Sequence, residues 1–122
     1  MTSRPDQIQE ILRLLVNSSP DVEGAAIVTM DGLPLASALP AGVDEDRVSA
    51  MAAAALSMGE RTVAELKRGN LEQVYVKGAG GYTILMQAGP DAVLETISGP
   101  AARLGLLFLD MKRAAQELSR LV

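Results

Sequence analysis

Apolar residues recur along the chain with two different periods, and the changes of period divide it into eight elements. Ile8, Ile11, Leu12 and Leu15 fall at steps of three and four, lining one stripe of a helix expected over Pro5 to Asn17. Pro5 suits the first turn, where its missing N–H leaves no bond unmade, and Asn17-Ser-Ser-Pro20 stops the pattern. A strand follows at Val22 to Met30. Asp31-Gly32 then predicts a type I′ hairpin into a second strand, Leu33 to Ala38. Pro34 inside that strand requires an edge position or a bulge.

After the loop Leu39 to Val43, a long helix is expected over Asp44 to Arg68. Asp44 fits the N-cap, with Glu45 and Asp46 beside it at the positive end of the dipole. Lys67 and Arg68 sit at the negative end, and Gly69-Asn70 supplies the stop. Its apolar positions exceed one stripe. Val48, Ala52, Ala55, Gly59, Thr62 and Leu66 make one dry face; Met51, Ala54 and Met58 begin another. A helix laid on a single sheet needs only one. Met51 and Met58 lie seven apart on one side, and either core packing or an oligomer interface accounts for them.

Period two returns in three strands, Leu71 to Val76, Tyr82 to Ala88 and Ala92 to Ile97, joined by glycine-rich turns. A last helix spans Ala101 to Leu121. Its inner face carries Leu104, Leu107, Phe108, Met111, Ala115, Leu118 and Leu121, and Lys112, Arg113, Glu117 and Arg120 face water. The order α-β-β-α-β-β-β-α reads as an α+β fold. A five-stranded antiparallel sheet is flanked by helices in one domain covering residues 1–122.

Composition narrows the chemistry. The chain has 122 residues, no Cys, no His, no Trp, two Tyr and one Phe. Thiol nucleophiles, imidazole bases, the Ser-His-Asp triad and most zinc sites are excluded. With aromatics at 2 per cent, stacked bases and aromatic-lined pockets are unexpected. The net charge of −4 argues against nucleic acid and anionic membranes. The first residues carry no leader pattern and no apolar run is long enough to span a bilayer, so a cytoplasmic protein is expected.

Few motifs invite a site. Gly78-Ala-Gly-Gly81 joins two strands, whereas a phosphate loop must open onto a helix, so it reads as a hairpin turn. Ser98-Gly-Pro100 precedes the last helix and could hold an anion, or simply cap it. Asp44, Glu45 and Asp46, and Glu60 with Glu65, occupy one helix rather than facing across a cleft, so a solvated surface explains them. No carboxylate-dense loop suits a metal.

The chain resembles the roadblock family (dynein light-chain type), in particular its bacterial MglB-like regulators of Ras-like GTPases. The resemblance rests on a short first helix and three stretches. These are Gly24 to Ser37 (GAAIVTMDGLPLAS), Ala52 to Val63 (AAAALSMGERTV) and Tyr82 to Leu94 (YTILMQAGPDAVL). It implies a roadblock or profilin-like architecture and a non-enzymatic homodimer without cofactor. In that dimer the second helices of two copies pack together and the third strands pair. Carried over by position, Met51, Ala55, Met58, Gly59 and Thr62 fall on the dimer helix. Leu71, Val74 and Val76 fall on the dimer strand, and Gly59 would let two backbones approach. The implied partner is a small Ras-like GTPase, regulated or scaffolded, with hydrolysis promoted through the GTPase's own residues. The alternative is a small-ligand sensory module of PAS or profilin-like layout, which the scarcity of aromatics disfavours.

Overall fold

The computed structural model describes residues 3–122. Its elements follow the expected order: α1 (Arg4–Ser18), β1 (Val22–Thr29), β2 (Pro34–Ala38), α2 (Glu45–Glu65), β3 (Val74–Gly78), β4 (Gly81–Gln87), β5 (Ala92–Ser98) and α3 (Leu104–Ser119). Ser3 caps α1 by accepting the Asp6 N–H, with Pro5 in the first turn. Asp44 caps α2, its Oδ1 accepting from the N–H groups of Asp46 and Arg47 at 3.0 and 3.2 Å. Among the described residues, no helix is long and apolar enough to cross a membrane.

Four local expectations need correction. The β1–β2 connection is not a type I′ turn. Gly32 has φ +89°, but Asp31 stays out of the left-handed region. The Gly32 N–H donates to the Thr29 carbonyl, and the Thr29 N–H to that of Leu33. That is a three-residue loop, Met30-Asp31-Gly32, ending on a left-handed glycine. It leaves the strands out of step, and the register shifts where Ile27 pairs with Ala36 but Val28 with Pro34. Pro34 therefore sits on an edge strand and at a bulge together, both of the places its missing donor permits.

The second correction concerns the end of α2, which stops at Glu65 and not at Arg68. Lys67 turns left-handed with φ +55°. The Lys67 N–H then bonds the Ala64 carbonyl and the Arg68 N–H the Val63 carbonyl, a Schellman closure made without glycine at the turning residue. Third, β3 begins at Val74, so Leu71 lies before the strand and not in it. Leu71 packs beside α2 instead.

α3 also starts later than expected, at Leu104. Ser98-Gly-Pro100 is thus separated from the helix, and the helix start is occupied from within the chain. The Asp21 carboxylate accepts from the Arg103 N–H at 3.0 Å and from its Nε at 3.1 Å. That backbone bond holds the Asp21 carboxyl below its ordinary range, and the guanidinium adds to the effect.

The sheet is antiparallel throughout, in the order β2-β1-β5-β4-β3. The hairpin β1–β2 and the meander β3–β4–β5 join where β1 pairs with β5, from Val22 opposite Ser98 to Thr29 opposite Ala92. Alternation along each strand makes two faces. One packs Ile27, Ile84 and Leu94 against Leu12 and Leu15 of α1 and Leu107, Met111 and Leu118 of α3. The other packs Ala26, Val28, Leu85 and Val93 against Ala52 and Leu56 of α2. The result is three layers, an α+β fold with helices on both faces of one sheet.

Candidate functional site

α2 turns Ser49, Ala52 and Leu56 toward the sheet. About a third of a turn round its axis, at 3.6 residues per turn, lie Met51, Ala55, Met58 and Thr62. Met51 is 69 per cent exposed and Met58 61 per cent. Ala55 is half-buried and Thr62 exposed, with its hydroxyl donating to the Met58 carbonyl. No described part of the chain covers Met51 and Met58, and beside them lie Ala55 and Thr62, which the sequence pattern assigned to the other dry face.

Gly59 makes a close approach inside the chain itself. A Cβ placed there would lie 2.6 Å from Val74 Cγ2 and 3.2 Å from Leu71 Cδ2. The close approach that demands glycine is made within one chain, between α2 and the start of β3. Leu71 and Val74 are both half-buried against that contact. Of the strand positions, Val76 is the open one, 54 per cent exposed on the α2 face of the sheet. Gly59 thus seats the start of β3 against α2, the helix that carries Met51 and Met58.

The two sheet edges are guarded unequally. β2 carries Pro34 and a bulge, and the Gln9 side chain donates to the Ser37 carbonyl at 2.8 Å. These are the usual defences of an edge strand. β3 runs in unbroken register from Val74 opposite Leu85 to Gly78 opposite Gly81. It has no proline and no bulge, and Lys77 curls back over the Tyr82 ring at 5.6 Å. Its outer N–H and C=O groups form an unblunted edge.

Sequence reasoning missed Glu95. It lies on β5 on the α2 face, only 8 per cent exposed. Oε2 accepts from Thr83 Oγ1 at 2.7 Å, while Oε1 has no partner. Burial pushes its carboxyl above the ordinary value, and the Thr83 bond partly opposes that. The signal was present: Glu95 is in phase with Val93 and Ile97, so period two already places it on a packed face.

Among the recesses, one of about 550 Å³ opens between the end of α2 and the β4–β5 turn. Met30, Glu60, Val63, Leu71, Gln87 and Pro90 are among its walls, and no aromatic side chain lines it. Among the described residues, no group of three or more carboxylates is arranged to hold a metal.

A model of the Roadblock/LC7 domain matches residues 8–98. The uncharacterized protein MJ1340 of Methanocaldococcus jannaschii is 40 per cent identical over 105 residues, covering 86 per cent of this chain and 91 per cent of that protein. A structure described as MglB with tetrameric arrangement superposes with a TM-score of 0.89 at 20 per cent identity, over 99 per cent of this chain and 91 per cent of the other. The gliding protein MglB from Thermus thermophilus superposes with a TM-score of 0.85 at 18 per cent identity, over 99 and 92 per cent.

Proposed function

The chain belongs to the Roadblock/LC7 domain family, and we propose that it works as a non-catalytic homodimer that regulates or scaffolds a small Ras-like GTPase. The observation that carries the reading is that one helix, α2, exposes Met51 and Met58 and is seated by Gly59 against the start of β3, the strand with the unguarded edge. A twofold axis beside β3 can join both features at once, with strand on strand and helix on helix. Burying Met51 and Met58 in both copies contributes about 1–2 kcal/mol per side chain. Paired β3 strands continue the sheet and satisfy the outer amides and carbonyls. The likeness to the MglB folds supports the same layout, and one of those proteins is itself described as tetrameric. The joined sheet with its flanking helices then offers a broad, rigid face to a GTPase.

Light scattering on the purified chain at micromolar concentration is expected to give a dimer, and a monomer overturns the reading. Met58→Glu places a charge in the contact and is expected to give monomers with unchanged helical content. The dimer, and not this variant, is expected to retain a nucleotide-loaded Ras-like GTPase of the same organism in a pull-down. Equal retention by both removes the link between dimer and partner.

A further inference from the structure

We infer that Arg47 of one copy and Glu65 of another clamp the two ends of the α2 stripe, so that the chain selects a second copy of itself with the two helices antiparallel. The inference rests on the homodimer reading above. Residues 47, 51, 55, 58, 62 and 65 recur at steps of four and three and so share one face of α2. The four inner positions are the apolar or small Met51, Ala55, Met58 and Thr62. The two ends carry opposite charge.

Both end charges are available. The Arg47 side chain is 85 per cent exposed, and its acidic neighbour Asp44 is 3.8 Å away. The other oxygen of Asp44 is engaged in capping the helix. Glu65 is exposed and has no ion pair among the described residues. Asp46 and Glu60 lie round the other side of the helix, and Arg61, four residues before Glu65 on the same helix, makes no ion pair with it among the described residues.

A twofold axis crossing the helix between Ala55 and Met58 sets Ala55 against Met58 of the other copy and Met51 against Thr62. The same operation brings Arg47 beside Glu65, twice per dimer. Parallel helices in the same contact set Arg47 against Arg47 and Glu65 against Glu65, which is repulsive. Antiparallel helices also oppose their dipoles favourably. The end charges therefore decide orientation and partner choice, while the methionines supply the apolar contact.

Charge reversal tests the clamp. Arg47→Glu puts an acid near the start of α2 and Glu65→Arg a base at its end, both favoured by the helix dipole, so neither variant should unfold. Each alone is expected to weaken self-association in analytical ultracentrifugation by about tenfold, and more at low salt than at high. The double variant Arg47→Glu with Glu65→Arg is expected to return close to the wild-type dissociation constant. The two single variants mixed together are expected to prefer each other. Circular dichroism confirms that all remain folded. Single reversals without effect, or a double variant that stays weak while the wild type dimerises, overturn the clamp and leave the homodimer standing. A wild type that stays monomeric overturns both.

Discussion

The two faces of the sheet are built to different standards. The α1–α3 face is closed by two helices and by aliphatic side chains from every layer. A buried hydroxyl bridges its layers, Thr96 Oγ1 reaching Met111 Sδ at 3.1 Å. The α2 face has a single helix over a smaller cluster. It holds a carboxyl with one unpartnered oxygen, and it leaves Met51, Met58 and Val76 in water. The α1–α3 side encloses the larger cluster, although Leu14, Leu106, Leu109 and Tyr75 still stand about half exposed there. The α2 side covers a smaller cluster and leaves its uncovered apolar side chains on one helix and the neighbouring edge strand.

Three substitutions test that difference. Leu94→Ala on the closed face is expected to be the most damaging, at about 4 kcal/mol in denaturant unfolding, because the neighbours of a fully enclosed leucine cannot collapse into the space. Leu56→Ala on the α2 face should cost less, about 2–3 kcal/mol, since one helix over a thin cluster can settle into the gap. Equal losses at the two positions would erase the distinction between the faces.

Glu95→Gln is the smallest effect and has the opposite sign. The folded-state carboxyl titrates above the ordinary glutamate value, because burial penalises its charged form. Its contribution is therefore fully present below that value and is lost as pH rises through the folded-state pKa. At pH 7 the buried carboxylate weakens the fold, and Gln is expected to raise stability by about 1 kcal/mol. The variant should also flatten the dependence of stability on pH above 4.5. A wild type more stable at pH 7 than at pH 5 would contradict the burial of this group.

Much of the candidate surface was readable before the structure. Methionines seven apart on a helix already dry on another side marked an uncovered stripe, and the structure leaves Met51 and Met58 exposed. Gly59 was only partly legible, because glycine in a helix signals close approach without naming what approaches. Val74 and Leu71 of the same chain do. Leu71 was read as strand because apolar residues before a β-branched pair look extended. Its side chain instead fills the space beside Gly59 from a loop. Lys67 hid the end of α2, since a left-handed lysine leaves no mark in a sequence that has glycine two residues later.

By itself the sequence determined the eight elements and their order, the cap at Asp44, and the confinement of Pro34 to an edge or a bulge. Each depends on groups within a few residues of one another, so side-chain period, cap chemistry and a missing N–H are enough. The tertiary structure alone decided that β1 lies against β5, that Asp21 caps a helix 82 residues away, and that α2 covers one face while α1 and α3 close the other. Alternation along a strand separates two faces without saying which helix each will meet. That choice belongs to packing between segments far apart in the chain, which no local pattern encodes.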